Sequence, residues 1–158
     1  MQDYFGGIYQ SKIGSIGIMT HKDMIVNVEI LSDGINTFHK YATYSNLYEN
    51  NASKEAANYI MLYLLGVKTT HNIKLAPKGS SFQKAVWQTI LQIKYGETKS
   101  YKDIAVLLKN PNAIRAVGSA CAKNPILFFI PCHRVINSCG KIGGYRAGIN
   151  IKQYLLSL

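Results

Sequence analysis

The sequence predicts an α+β protein. A small N-terminal unit of sheet plus helix spans residues 1–76, and a mostly helical unit with a helix-turn-helix spans 77–158. Three observations carry this expectation. Strand-like runs separated by turns fill the start of the chain. Capped helical stripes fill its second half. The charge balance changes between them. Residues 1–76 hold six Lys and six acids, so they are neutral. Residues 77–158 hold twelve Lys and Arg against Glu97 and Asp103, so the whole net charge of +10 falls there. A polyanion partner is one reading, because neutralising phosphates releases counterions. A soluble basic surface is the other.

Residues 8–9, 13–19 and 24–31 have strand composition, with a turn at His21-Lys22-Asp23. Asp33-Gly34 marks a further turn, and residues 36–51 show no clear period. From Ser53, the residues Ala56, Ala57, Ile60, Met61, Leu64 and Leu65 form one helical stripe that Gly66 stops. Residues 67–80 hold Pro77 and Gly79 and mark the domain boundary. Ser80 or Ser81 then caps a helix with the apolar set Phe82, Ala85, Val86, Ile90 and Ile93, ended by Gly96. Ser100 caps the next, with Asp103 as its capping-box partner and Ile104, Ala105, Leu107 and Leu108 as its apolar residues. Asn110-Pro111 breaks it. A third helix runs over about 112–123 until Asn124-Pro125. The apolar run 126–130 delivers the chain to Cys132. A loop with Asn137, Gly140, Gly143 and Gly144 and a last helix over about 150–156 follow.

Two helices joined through Asn110-Pro111 fit helix-turn-helix geometry. In the third helix, Ile114, Val117 and Cys121 repeat at core spacing. Ala113, Ala116 and Ala120 line another face, with Arg115, Gly118 and Ala122 beside them. Such small side chains suit close, sequence-neutral approach to the minor groove of DNA, or tight packing on a second helix. Spacing does not separate the two.

At 158 residues and 47% hydrophobic, the chain can bury a core. No run of about 18 apolar residues exists, so no membrane helix is expected. The start Met1-Gln2-Asp3-Tyr4 lacks a signal pattern. Three cysteines without paired spacing imply reduced thiols. The expectation is an intracellular protein, cytoplasmic or, in a eukaryotic source, nuclear.

The chemistry gathers at Pro131-Cys132-His133-Arg134-Val135. A thiolate attacks carbon, and a free cysteine needs a nearby base or positive charge to become one. His133 is adjacent, yet neighbours in an extended chain point to opposite faces. It serves only if the chain turns there or a water bridges the two groups. A buried, inert cysteine is the alternative. Cys121 is read as core packing, Cys139 as a loop thiol, and Arg134 as structural. His21, His39 and His71 offer no metal-ligand pattern, and neither metal nor cofactor is expected.

That run resembles the active-site signature of the methylated-DNA–protein-cysteine methyltransferases, the 6-O-alkylguanine-DNA alkyltransferases. The resemblance covers residues 80–156. Ser100-Tyr101, Asn110-Pro111, Arg115-Ala116-Val117-Gly118, Asn124-Pro125 and Gly144-Tyr145 all fall in the family's register. It implies irreversible, single-turnover transfer of the alkyl group from 6-O-methylguanine, and by extension 4-O-methylthymine, to Cys132 after the nucleotide is flipped out. It implies His133 as a water-mediated base, Asn124 as organiser of the active-site turn, and Tyr101 as donor to a guanine ring nitrogen. Arg115 becomes the finger that fills the duplex, with Ala113, Ala116, Gly118, Asn110 and Ser138 as further DNA contacts. Val135, Tyr145, Arg146 and Gly143 become the substrate pocket. The partner implied is double-stranded DNA containing alkylated guanine, met through the minor groove by a monomer. One departure stands out. The family carries a histidine-orienting glutamate shortly after the Leu-Leu of its last helix, and here Ser157-Leu158 follows Leu155-Leu156. The terminal carboxylate of Leu158 is a candidate substitute, and a less depressed Cys132 pKa is expected without one. A non-catalytic alkylguanine sensor and a Cys-His hydrolase are the competing readings.

Overall fold

A computed structural model describes residues 4–31 and 48–158. The chain divides into two compact units, Met1–Pro77 and Lys78–Leu158.

The first unit is built on a meander. Strands β1 (Tyr4–Ser11), β2 (Gly14–His21) and β3 (Met24–Leu31) pair antiparallel in sequence order, and β4 (Lys74–Leu75) joins β3 in parallel. Tight turns set the register, Tyr4 facing His21 and Ser15 facing Leu31. Gly14 (φ 115) and Lys22 (φ 53) supply the positive backbone angles that those turns demand. Helix α1 (Asn51–Leu64) covers one sheet face with Ala56, Ala57, Ile60 and Leu64, meeting Ile16, Ile18, Ile25 and Val28 in the core. The Asn50 side chain caps α1 by accepting from the Ser53 N–H at 2.8 Å, while the Asn50 N–H donates back to the Ser53 hydroxyl. The helix therefore begins two residues before its expected start. Strand β1 is longer than its apolar residues suggested, because Gly6 and Gly7 continue the pairing. A Cβ on Gly6 would lie 2.5 Å from the Ile18 carbonyl oxygen, so this close approach needs glycine. The expected turn at Asp33-Gly34 lies outside the described residues.

The second unit is mostly helical. Helices α2 (Ser81–Ile90), α3 (Tyr101–Leu107) and α4 (Ile114–Ala122) pack on one another, and α5 (Ile149–Leu156) closes the chain against the Cys132 turn. Ser80 and Ser100 each cap a helix reciprocally, with Gln83 and Asp103 as partners. Helix α2 stops at Ile90 rather than at Gly96. The chain leaves the helix through Leu91 and Gln92, and Gly96 (φ 78) shapes the next turn. The Trp87 indole N–H donates to the Ala120 carbonyl at 2.9 Å and locks α2 to α4. That contact explains two departures from the expected faces. Ala120 belongs to the core, whereas Ile114 is 40% exposed. Leu107 is likewise exposed, at 59%, because α3 ends in a turn there, closed by Lys109 (φ 56). Helix α4 is shorter than expected at both ends.

A two-stranded parallel ladder was not foreseen. Strand β5 (Lys99–Ser100) pairs with β6 (Val135–Ile136), Lys99 facing Val135. It fixes the start of α3 directly beside the Cys132 turn.

Candidate active site

The site is assembled by a buried turn. Residues 126–130 are at most 3% exposed. Phe128 takes a left-handed backbone (φ 70), a conformation costing about 1–3 kcal/mol for a bulky residue and held here by full burial of its ring. Pro131 then starts a 3₁₀ turn, Cys132–Arg134, whose N–H groups on Cys132 and Arg134 donate to the Ile130 and Pro131 carbonyls. The turn carries Cys132 and His133 inward, 3% and 0% exposed.

Asn124 holds this turn from inside. Its amide nitrogen donates to the Cys132 sulfur at 3.0 Å and to the Ile130 carbonyl at 2.8 Å. Its oxygen accepts from the Ile126 N–H at 2.9 Å. Pro125, which has no N–H, lets the chain leave α4 and present that donor. Arg146 in turn donates to the Asn124 carbonyl at 3.2 Å.

The electrostatics are set by burial and one cation. Burial pushes the Cys132 thiol up, while the Asn124 amide, the Lys152 charge and the Arg146 charge pull it back. Lys152, on α5, has no exposed surface. Its ammonium donates to the Val135 carbonyl at 2.6 Å and to the Gly144 carbonyl at 3.2 Å, and lies 5.9 Å from the Tyr101 ring centre. Burial pushes the Tyr101 phenol up to about 12, helped by Cys121 and Cys132. Tyr101 therefore keeps its proton and is a donor at neutral pH. Burial, with the Arg134 and Lys152 charges, pushes His133 down to about 3, so its resting imidazole is neutral. Its ring meets the Tyr145 ring edge-on, 6.3 Å between centres.

A cavity of about 280 Å³ opens over the Cys132 sulfur. Tyr101, Gly118, Cys121, Ala122, Cys132, Gly144, Tyr145 and Arg146 line it. Gly143 lets the loop pass over Tyr101. A Cβ there would lie 2.7 Å from the phenol oxygen. A polarisable thiol at the floor, a proton donor in the wall and backbone carbonyls nearby suit displacement at a carbon carried by a planar, hydrogen-bonding leaving group.

The structure thus gathers Tyr101, Gly118, Asn124, Cys132, His133, Val135, Gly143, Tyr145 and Arg146 around one site. It does not bring Arg115, Ala113, Ala116, Asn110 or Ser138 to the cavity. Arg115 and Ala116 are exposed on α4, and Asn110 and Ser138 are exposed in loops. Arg134 bonds the Ile93 carbonyl at 2.9 Å and stacks over Tyr95, so its work is structural. The Leu158 carbonyl oxygen accepts from the Tyr95 hydroxyl at 2.5 Å. Lys152 and Cys121 were missed as site residues. The signal for Lys152 was its place, one helical turn from Leu155, in the inward stripe of the last helix. Among the described residues, no group of three or more His, Cys, Asp or Glu could hold a metal ion.

The family description "6-O-methylguanine DNA methyltransferase, DNA binding domain" matches residues 81–158. A methylated-DNA–protein-cysteine methyltransferase of Mycobacterium leprae is 38% identical over 148 residues, 94% of this chain and 87% of that one. The chain belongs to the methylated-DNA–protein-cysteine methyltransferase family. A family member from Methanosarcina barkeri is 50% identical over 105 residues, a stretch that spans 66% of each chain. The crystal structure of the Mycobacterium tuberculosis OGT in complex with DNA superposes with a TM-score of 0.84 at 36% identity, covering 98% of this chain and 91% of that one. The α+β architecture is the family's.

Proposed function

We propose that the protein repairs alkylated DNA by moving the alkyl group from the exocyclic oxygen of 6-O-methylguanine to the Cys132 sulfur, once per molecule. One observation carries this reading: Cys132 lines a cavity of about 280 Å³, its sulfur held by Asn124 at 3.0 Å. The names of the relatives, and a relative solved with DNA, support it. The carbon–sulfur bond forms as the carbon–oxygen bond breaks, and the guanine leaves as an anion. Tyr101, protonated at neutral pH, donates to a ring nitrogen and stabilises that anion. The Cys132 proton passes to His133 through a water. The Cys132 carbonyl and the second lone pair of the Val135 carbonyl accept from the guanine amine, and the backbone N–H of Arg146 meets the exocyclic oxygen. The thioether does not revert, so the protein is consumed.

Cys132, 3% exposed, does not reach a base inside the stack, so the nucleotide leaves the duplex, at a cost of a few kcal/mol. Arg115, exposed on α4, fills the vacated space. Helices α3 and α4 act as the helix-turn-helix pair. Ala113, Ala116 and Gly118 admit the minor-groove backbone, with Asn110 and Ser138 contacting the flanks. The basic second unit supplies the phosphate attraction. The protein works as a monomer.

The test is incubation with duplex DNA containing one 6-O-methylguanine, followed by intact-mass and peptide analysis. The expected result is one added methyl group on Cys132 and restored guanine. Tight binding without mass gain would instead identify a damage sensor and end this reading. A parallel duplex with 4-O-methylthymine tests the second lesion.

A further inference from the structure

Two thiols face one cavity, and alkyl transfer uses only one of them. Cys121, on the last turn of α4, is 7% exposed and lines the same cavity as Cys132. Asn124 ties the two together. Its N–H donates to the Cys121 carbonyl at 3.2 Å, and its side chain donates to the Cys132 sulfur at 3.0 Å. Both sulfurs also feel the same Lys152 charge. Cys139, the remaining thiol, is exposed in a loop.

We propose that Cys121 is the resolving thiol for Cys132, so that peroxide oxidation of the acceptor sulfur ends in a reversible Cys121–Cys132 disulfide. The co-reactant is a hydroperoxide. The Cys132 thiolate attacks one peroxide oxygen, the O–O bond breaks, and hydroxide leaves to take up a proton as water. Cys132 becomes a sulfenic acid, oxidised by two electrons while the peroxide is reduced. The Cys121 thiolate then attacks the sulfenic sulfur, the S–O bond breaks, and a second water leaves. Two thiols and one peroxide yield one disulfide and two waters.

The site makes the second step easier than the resting thiol suggests. Burial pushes Cys121 up to about 12, and the charge on Cys132 adds to that. A sulfenic acid is neutral, so oxidation of Cys132 removes the like-charge opposition. The Lys152 ammonium, which favours either thiolate, then acts on Cys121 alone. The benefit is chemical: a sulfenic acid left alone proceeds to sulfinic and sulfonic acids, which reductants do not reverse. For a protein that spends one sulfur per repair, such a loss is permanent.

The test uses the full reduced chain without DNA, so it reads independently of the repair reaction. Hydrogen peroxide is added in small excess, free thiols are blocked under denaturing conditions, and peptides are mapped without reduction. The expected product is a Cys121–Cys132 peptide pair lighter by two hydrogens, with Cys139 still blockable. Dithiothreitol should restore Cys132 to labelling by iodoacetamide. In Cys121→Ala, folded by circular dichroism, sulfinic acid at Cys132 should rise at least about tenfold and dithiothreitol recovery should fail. Should Cys121→Ala not fold, the wild-type peptide map decides alone. Sulfinic acid at Cys132 beside an unmodified Cys121 in the wild type, or cross-linking chiefly through Cys139, overturns the proposal.

Discussion

Replacing Asn124 by alanine tests the most connected residue of the site. Asn124 has no exposed surface and makes three side-chain hydrogen bonds, to Cys132, Ile130 and Ile126. Their losses are unequal. The Ile130 carbonyl keeps the Cys132 N–H at 2.8 Å, so it is not orphaned. The Ile126 N–H loses its side-chain acceptor inside the core, at about 1–3 kcal/mol, and the two other bonds add about 1 kcal/mol each. A total of about 3–5 kcal/mol is a large part of the 5–15 kcal/mol that stabilises a typical domain. Trp87 is the only tryptophan and is buried against α4, so its fluorescence in a urea titration reports on this unit. The Cys132 thiol should also titrate higher, since the amide donor lowers its pKa. Asn124→Asp separates the two effects. It keeps an acceptor for Ile126 while placing a carboxylate oxygen against the sulfur, which raises the thiol further. A loss under about 1 kcal/mol in the alanine variant, with an unmoved thiol titration, would refute the assignment of Asn124 as the organiser of the turn.

Lys152→Met removes the buried cation beside Cys132. Lys152 is one of the charges that lower the Cys132 thiol, and losing such an opposite charge shifts a pKa by about one unit, or roughly tenfold in thiolate. The pH profile of iodoacetamide labelling at Cys132 should move up by that factor, and Lys152→Arg should restore it. Gly143→Ala forces the Tyr101 phenol from its place, and methyl transfer should fall roughly tenfold or more while the urea midpoint changes little. Because His133 is pushed down to about 3, the folded protein excludes a proton that the unfolded chain accepts below about 6.5. The stability from its neutral form is present above that pH. It falls as pH drops from 6.5 toward 3, by up to about 1.4 kcal/mol per pH unit, and urea midpoints across that range should flatten in His133→Asn.

Local chemistry made much of the fold readable. Ser80, Ser100 and Asp103 announced their helices because a cap is a contact between residues three apart. The second and third strands were visible through their composition and the marked turn His21-Lys22-Asp23, whereas the first was legible only at Ile8-Tyr9 and the order of pairing was not. Strand β4, the β5–β6 ladder and the face of α4 were not readable. The short strands pair residues far apart in sequence, Lys99 with Val135 and Met24 with Lys74, and two residues carry no period. The α4 face was misjudged because its packing on α2 and α3, including the long-range bond from Trp87 to the Ala120 carbonyl, buries Ala120 and leaves Ile114 out.

The site divides along the same line. Cys132, His133, Asn124 and Tyr101 stood out through motif and register, which are properties of sequence. Lys152 did not, because a lysine in a short terminal helix normally means solvent. What makes it a site residue is the pair of carbonyls, Val135 in β6 and Gly144 in the loop before α5, that the fold turns toward it. Those carbonyls satisfy two of its three N–H donors, and so offset part of the cost of burying the charge. A backbone carbonyl exists at every position and leaves no mark in a sequence, so a cation held by carbonyls is visible only once the loop is folded. The bond to Gly144 also fixes one part of the cavity wall. Lys152 therefore joins the charge that favours the thiolate to the shape of the pocket above it, and Lys152→Met should move both together, whereas Lys152→Arg should return the charge more fully than the shape.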